Sequence, residues 1–137
     1  MTLLTKGYKD DIGVDIVFDY DITFAPFETK VIPTEICIPS ISRRSVMMCA
    51  RTSAAMRGII VNQCPIDPNY TGCIHVIAHN CSNDIVTFKA GVALAQLYAF
   101  DVQELNLDIK IKCDGIRNNN NFGSTDKEVN KNESVAI

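Results

Sequence analysis

The chain has 137 residues, of which 47% are hydrophobic and 21% are charged, with a formal net charge of −3. This profile is typical of one folded globular domain with a single core. Arg43 and Arg44 form the only adjacent pair of basic residues, which argues against a nucleic-acid or membrane surface because affinity for polyanions depends on clustered cations. Without an apolar run of ~18 residues or a signal-peptide pattern, we expect an intracellular, cytoplasmic protein, or a nuclear one if its source is viral or eukaryotic.

Alternation of apolar and polar residues predicts strands along most of the chain. From Ile12 to Phe24 every even position is apolar, which indicates one half-buried strand or two strands joined by a bend. The same alternation runs on odd positions from Leu105 to Cys113. Shorter strand candidates lie between these two segments, at Lys30–Ile32, Glu35–Ile38, Ser45–Ala50, Ile59–Val61, Cys73–Ala78, Asp84–Phe88 and Ala93–Phe100.

Turn signals separate the predicted strands, at Pro26, Pro33, Pro39, Asn80–Asn83, Ala90–Gly91 and across 64–72. Only Thr52–Arg57 has a helical pattern. Short strands at this spacing predict an all-β sandwich or barrel with one short helix.

The composition changes after Cys113. Residues 114–137 contain four consecutive Asn and few apolar side chains, so they cannot bury enough surface to order themselves. We therefore predict a β core over 1–113 and a flexible arm over 114–137. Within the arm, Phe122 can stack on a flat ligand, and the segment 123–125 offers backbone N–H groups and hydroxyls to an anion. A plain disordered tail is the alternative.

The six cysteines form no C-x-x-C pair, and we expect free thiols. Cys73, His75, His79 and Cys81 share one parity and resemble a zinc set. A strand rising ~3.3 Å per residue separates Cys73 from Cys81 by roughly 26 Å, too far for one tetrahedral ion. A metal shared by the His75 side chains of symmetry-related subunits remains an alternative.

The segment CPIDPNYTG, residues 64–72, places Asp67 and Tyr70 three positions apart among turn-forming residues. Its prolines, Asn69 and Gly72 favour chain reversal, so we predict the end of a β-hairpin that holds the two side chains. The alternative is an ordinary surface loop with a solvated carboxylate and a partly buried ring.

Five segments in order resemble the motifs of the trimeric dUTP pyrophosphatase (dUTPase) family, within the dUTPase and dCTP deaminase superfamily. The family patterns AGYDL, RSGLA, GVIDxDYxG, GDRIAQL and an arginine followed by FGST are matched by IGVDI at 12–16, RTSAA at 51–55, CPIDPNYTG at 64–72, GVALAQL at 91–97 and RNNNNFGST at 117–125. The resemblance implies a distorted jelly-roll or barrel and a homotrimer with shared active sites. It also implies hydrolysis of dUTP to dUMP and pyrophosphate by attack of water on the α-phosphorus.

In such a site Asp67 would activate the water and meet the sugar 3′-hydroxyl, and Tyr70 would lie under the deoxyribose. Main-chain groups of the hairpin, at Asn62, Gln63 and Ile66, would bind uracil.

The remaining motifs imply contacts with the triphosphate. Arg51, Thr52 and the backbone of Ser53 would bind phosphate, and Gln96 would hold the water or a phosphate oxygen. Asp15 would act on Mg²⁺ through water, with no direct protein ligand to the metal. The arm would close over the site through Arg117, Phe122, Gly123, Ser124 and Thr125.

The chain departs from the family patterns at Cys64, Asn69, Val92, Ala93 and 118–121, which indicates a divergent member. A dCTP deaminase needs a glutamate at the position held here by Ile77, which cannot transfer protons. A nucleotide-binding regulatory protein with a protein partner is the other alternative.

Overall fold

The computed structural model describes residues 1–38, 44–103 and 105. Over these residues the chain forms ten strands and one helix. In chain order they are β1 (Thr2–Thr5), β2 (Val14–Phe18), β3 (Ile22–Phe24), β4 (Thr29–Cys37), β5 (Arg44–Ala50), α1 (Thr52–Met56), β6 (Ile59–Val61), β7 (Cys64–Ile66), β8 (Cys73–Asn80), β9 (Val86–Phe88) and β10 (Ala95–Asp101). The predicted all-β class with one short helix is confirmed.

The strands pair antiparallel in three sheets, ordered β1-β2-β10-β5-β7, β4-β8-β6 and β3-β9. None of these sheets closes on itself within the described ranges, so the predicted barrel is not formed by this part of the chain. The five-stranded sheet brings strands from both ends of the described sequence together, because β2 pairs with β10 and β10 pairs with β5.

The core is built by one face of each strand. Alternate residues of β2, β3, β8 and β9 are buried, as expected for half-buried strands. The rings of Phe24 and Phe88 pack edge to face, with their centroids 6.3 Å apart. The largest fully buried side chains are Phe18, Phe24, Phe88, Ile16, Met48, Ile59, Leu94, Val76 and Asn80.

The alternating segment from Ile12 to Phe24 forms two strands with a turn at Asp19–Asp21, the second of the two arrangements that the pattern allowed. The carboxylate of Asp21 accepts hydrogen bonds from the Ala90 N–H at 2.9 Å and the Lys89 ammonium at 3.0 Å. These contacts join the β2–β3 turn to the loop that leads into β10.

The predicted turn at Pro33 is wrong. The strand β4 continues through Pro33, and its register against β8 shifts between Pro33 and Cys37. Because β4 lies at the edge of its sheet, a residue without an N–H is tolerated there. Thr34 stabilises the irregularity by donating to the carbonyl of Ile74 at 2.8 Å.

Two short strands had not been predicted, β1 and β7. In β1, Leu3 and Leu4 are adjacent, so apolar and polar residues do not alternate. In β7, the residues around Pro65 are typical of a turn and do not predict a strand. The predicted strand from Leu105 to Cys113 and the arm over 114–137 lie outside the described residues, apart from Leu105.

Asn80, which is fully buried, fixes the turn after β8. Its amide nitrogen donates to the carbonyls of Ala25 and Asp84 at 3.0 and 2.7 Å, and its amide oxygen accepts from the N–H and hydroxyl of Ser82. Every polar atom of the side chain is therefore bonded, as a buried amide requires. Over the described part of the chain, no helix has the length and apolar character needed to cross a membrane.

Candidate functional site

Two predicted site residues from distant motifs lie directly opposite each other in the five-stranded sheet. Asp15 of β2 pairs with Gln96 of β10, and Gln96 pairs with Cys49 of β5. Directly opposite residues of antiparallel strands point to the same face. The sheet register therefore builds a row of three polar side chains from three segments of the sequence.

Arg51 joins this row from the end of β5. Its N–H donates to the carbonyl of Leu94 at 3.1 Å, and its Nε lies 3.0 Å from Oδ1 of Asp15. The Asp15 side chain is 16% exposed and that of Arg51 41%, so the ion pair is partly shielded from water while the guanidinium faces solvent. Asp15, Arg51 and Gln96 are named here the strand-borne group.

The side chain of Gln96 is held on two sides. Its Nε2 donates to the Ala50 carbonyl at 3.1 Å. Gly13 packs against its amide so closely that a Cβ on Gly13 would overlap Gln96 Oε1. A glycine at position 13 is therefore required by the position of Gln96.

Cys49 is a further member of this row that the sequence motifs do not indicate. Cys49 lies directly opposite Gln96, and burial raises the pKa of its thiol, while hydrogen bonding with Gln96 opposes the rise. Nothing in the sequence around Cys49 points to Gln96, because the pairing of β5 with β10, which are distant in sequence, is visible only in the structure. Cys49 is thus a neighbour of the predicted phosphate-binding residues.

Thr52 and Ser53 form the first turn of α1, next to the strand-borne group. The N-cap is Arg51, with φ −76° and ψ 150°, and its carbonyl accepts from the N–H groups of Ala54 and Ala55. The first N–H groups of a helix have no acceptor within the helix, and both Thr52 and Ser53 are exposed. Their backbone donors and hydroxyls therefore face solvent beside Arg51.

The segment 62–72 joins two sheets. The flanking strands β6 and β8 pair antiparallel, and the Asn62 N–H continues their pairing by donating to the Ile77 carbonyl at 2.8 Å. The predicted hairpin is correct for β6 and β8, which pair antiparallel on either side of the segment. It is wrong for β7, which pairs with β5 instead of β8, with Ser45 donating to the Ile66 carbonyl.

Asp67 and Tyr70 lie at the two ends of one turn, closed by a hydrogen bond from the Tyr70 N–H to the Asp67 carbonyl at 3.0 Å. Asp67 is exposed, whereas Tyr70 is 8% exposed and its hydroxyl donates to the Cys73 carbonyl at 3.1 Å. A Cβ on Gly72 would lie 2.5 Å from the Tyr70 hydroxyl oxygen. The ring is therefore fixed, and the nearby carboxylate faces solvent.

The strand-borne group and Asp67 lie at different places on the sheet. Ile66 is opposite Val46, whereas Gln96 is opposite Cys49, three residues further along β5. With ~3.4 Å per residue and ~4.8 Å per strand spacing, the Cα atoms of Ile66 and Gln96 are roughly 14 Å apart. Asn62 and Gln63, which are exposed, lie at the other end of β7 from the buried Ile66.

Two further predictions concern the arm and a metal site. Arg117, Phe122, Gly123, Ser124 and Thr125 belong to the part of the chain that the structure does not describe. Within the described residues, no three His, Cys, Asp or Glu side chains come together as a metal site. His79 Nδ1 is hydrogen-bonded to the Thr29 hydroxyl at 2.7 Å, and the shared His75 metal stays an untested prediction.

The chain is similar in sequence to viral and cellular proteins. A Pol polyprotein of equine infectious anemia virus (strain Wyoming) is 33% identical over 96 residues, covering 70% of this chain and 8% of that protein. The deoxyuridine 5′-triphosphate nucleotidohydrolase of Picosynechococcus sp. is 30% identical over 122 residues, covering 86% of each. The chain thus spans less than a tenth of the Pol polyproteins it matches but most of the free-standing proteins.

Solved structures share the fold. The native EIAV dUTPase superposes with a TM-score of 0.70 at 28% identity, covering 77% of this chain and 88% of that one. A dUTPase variant from phage phi11 of S. aureus superposes with a TM-score of 0.68 at 16% identity, a likeness of fold alone. These neighbours confirm the predicted jelly-roll type of fold. The family model described as dUTPase matches residues 1–126, and the chain therefore belongs to the dUTPase family.

Proposed function

We propose that this chain hydrolyses dUTP to dUMP and pyrophosphate. The observation that carries the proposal is the meeting of Asp15, Arg51 and Gln96, from three of the five family motifs, at one place on the sheet. Relatives that match most of this chain, from Clostridioides difficile and Mus musculus, are named deoxyuridine 5′-triphosphate nucleotidohydrolase. Membership of the dUTPase family supports the same activity.

Asp67 is the proposed base. An exposed carboxylate beside a rigid ring can accept the proton of a water molecule as its oxygen attacks the α-phosphorus. The bond from that phosphorus to the oxygen bridging the α and β phosphates then breaks, and pyrophosphate leaves. Tyr70 would pack under the deoxyribose, where a fixed ring leaves no room for a 2′-hydroxyl and so excludes UTP.

Arg51 is the proposed anchor of the triphosphate. Its guanidinium carries five N–H donors, and the contact with Asp15 is made through Nε, so the terminal nitrogens remain able to bind phosphate oxygens. Thr52 and the Ser53 N–H would add donors from the start of α1. Gln96, oriented by Ala50 and Gly13, would hold the water or a phosphate oxygen.

The described residues fit a magnesium ion that arrives with the nucleotide. Asp15 is the one carboxylate of the strand-borne group. Mg²⁺ commonly keeps several waters and binds through substrate phosphates with one or two carboxylates. Asp15 would hold a water molecule coordinated to the ion, and the ion would neutralise negative charge on the phosphates.

We further propose that each site combines residues of several copies in a homotrimer. The separation of Asp67 from the strand-borne group within one chain supports this, since a single nucleotide must reach the water-activating carboxylate and the phosphate anchors together. The arm over 114–137 would close over such a site from a third copy and exclude water.

Incubation with dUTP, dCTP, dTTP and UTP in the presence of Mg²⁺, followed by separation of products, tests the activity. We expect pyrophosphate from dUTP and little from the others, and no release when Mg²⁺ is chelated. In water enriched in ¹⁸O, the label should enter dUMP, because the α-phosphorus is attacked.

Label in pyrophosphate would contradict the attack at the α-phosphorus. Deamination of dCTP would instead identify a deaminase. Binding of dUTP without turnover would favour a regulatory nucleotide-binding protein.

A further inference from the structure

Two cysteines face each other across the β4–β8 pair. Cys37 and Cys73 are direct partners in the antiparallel register, just beyond the irregularity that follows Pro33. Both are free thiols, Cys37 exposed and Cys73 partly buried. Hydrogen bonding with Cys73, followed by desolvation, raises the pKa of the Cys37 thiol.

The backbone already provides the spacing that a disulfide needs. Directly opposite residues of antiparallel strands have Cα atoms about 4.5–5.5 Å apart, and disulfides join Cα atoms that are ~4.4–6.8 Å apart. Because directly opposite residues of an antiparallel pair place their side chains on the same face of the sheet, both thiols extend from one face of the β4–β8 pair. The register of the two cysteines is therefore compatible with the Cα spacing of a disulfide.

We infer that Cys37 and Cys73 form a modification site, at which a low-molecular-weight disulfide such as oxidised glutathione converts the two thiols into a cross-strand disulfide. The thiolate of one cysteine attacks a glutathione sulfur and releases one molecule of glutathione thiol. The second cysteine attacks the protein sulfur of this mixed disulfide and releases another. Two protein thiols are oxidised, and one glutathione disulfide is reduced to two thiols.

The pair lies next to the segment that carries Asp67 and Tyr70. The Cys73 carbonyl accepts the hydrogen bond of the Tyr70 hydroxyl at 3.1 Å, and Gly72, the preceding residue, contacts the same ring. A covalent bond from Cys73 to β4 restricts the peptide against which Tyr70 rests. Oxidation should therefore change the KM for dUTP, a consequence that rests on the proposed function.

The experiment incubates the reduced full chain with defined ratios of reduced and oxidised glutathione, blocks the remaining thiols with iodoacetamide and digests without reduction. Trypsin cleaves after Lys30, Arg43, Arg57 and Lys89, so Cys37 lies in peptide 31–43 and Cys73 in peptide 58–89. We expect these two peptides to be linked, with fragmentation assigning the bond to Cys73 instead of Cys64 or Cys81. The titratable thiols of the protein should fall by two.

Cys37→Ser and Cys73→Ser should each abolish the link, whereas Cys81→Ser, which removes an exposed thiol from the same peptide, should retain it. A chain that acquires glutathione on Cys37 without forming the link at any ratio would overturn the inference, and so would a link that survives in Cys73→Ser. The KM should change on oxidation in the wild type but not in Cys37→Ser. Failure of the proposed function shows separately, as absence of dUTP turnover in the reduced protein.

Discussion

The strand-borne group and the segment 62–72 differ in how their proposed functional side chains are held. Asp15, Arg51 and Gln96 bond to one another or to neighbouring backbone, and their places follow from the pairing of β2, β10 and β5. Asp67 is instead exposed on a turn whose ends are held by two different sheets. The proposed phosphate anchors are therefore preorganised by the core, whereas the position of the proposed base depends on a connection between two sheets.

Asp67→Asn should have the largest effect on activity. Loss of a general base costs about 10²–10⁴-fold, so we expect kcat for dUTP to fall roughly 10³-fold, with binding of a non-hydrolysable analogue little changed. Steady-state kinetics and calorimetry measure the two quantities. The matched control is Asp10→Asn, an exposed carboxylate outside both regions, and a kcat within twofold of the wild type for Asp67→Asn would remove Asp67 from catalysis.

Mixing two inactive variants tests whether the two regions serve one site from different copies. Arg51→Ala should lower kcat/KM about 10²-fold, because a charge-assisted contact with phosphate is lost. When Asp67→Asn and Arg51→Ala chains are co-refolded in equal amounts, roughly one quarter of shared sites combine an intact Asp67 with an intact Arg51 from another copy. Activity should recover to about a quarter of the wild type.

Sites contained within single chains would give no such recovery, since each chain carries one lesion. Two samples of the same variant, mixed and co-refolded, provide the control. Absence of recovery would show that Asp67 and Arg51 of one chain serve the same site.

Gly13→Ala should act on the strand-borne group alone. The added Cβ would overlap Gln96 Oε1, so Gln96 must leave the Ala50 carbonyl. We expect kcat to fall about tenfold and the free energy of unfolding to fall by about 0.5–1.5 kcal/mol, because the end of the flexible Gln96 side chain rotates away and loses one hydrogen bond. Kinetics and urea unfolding test this, and Gly91→Ala serves as a contrast because its φ of +84° strains the backbone without any steric contact.

Gly72→Ala is the equivalent change in the segment 62–72, and its effect should differ in kind. Displacing the Tyr70 ring should raise the ratio of UTP to dUTP hydrolysis severalfold, while dUTP turnover falls less than in Gly13→Ala. Competition between the two nucleotides gives the ratio. An unchanged ratio would separate Tyr70 from sugar discrimination.

Sequence alone predicted the fold class and most of the strands, because alternation in Ile12–Phe24 or Cys73–Ala78 follows directly from burial of one strand face. It failed at Pro33 and at β7, where partner strands determine the structure. At Pro33 an edge position tolerates a missing N–H, and at β7 pairing with β5 overrides the turn residues. Local sequence cannot show either effect.

The sequence likewise predicts only part of the candidate site. Motif order indicated Asp15, Arg51 and Gln96, but their contact depends on register between strands distant in sequence. Cys49 and the pair of Cys37 and Cys73 were missed for that reason, since cysteine spacing indicates nothing about which strands become neighbours.

The smallest expected effect concerns the link between Asp21 and the loop before β10. Hydrogen bonds from the Ala90 N–H and the Lys89 ammonium hold the pKa of Asp21 below its ordinary value of 3.8. A carboxylate with a lowered pKa stabilises the folded state above its unfolded pKa, and this contribution is lost as the pH falls through the folded pKa. The Tm of Asp21→Ala should therefore lie slightly below that of the wild type at pH 7, and the gap should close in acid below pH 3.8.

Thermal melts from pH 7 to acid measure that gap, with Asp10→Asn as the control that has none. Because the loop leads into the strand of Gln96, the change should raise amide exchange in β10 and leave the segment 62–72 unaltered. An equal rise of amide exchange in β10 and in the segment 62–72 would show that the two regions belong to one local unfolding unit. The strand-borne group and Asp67 would then not be held independently.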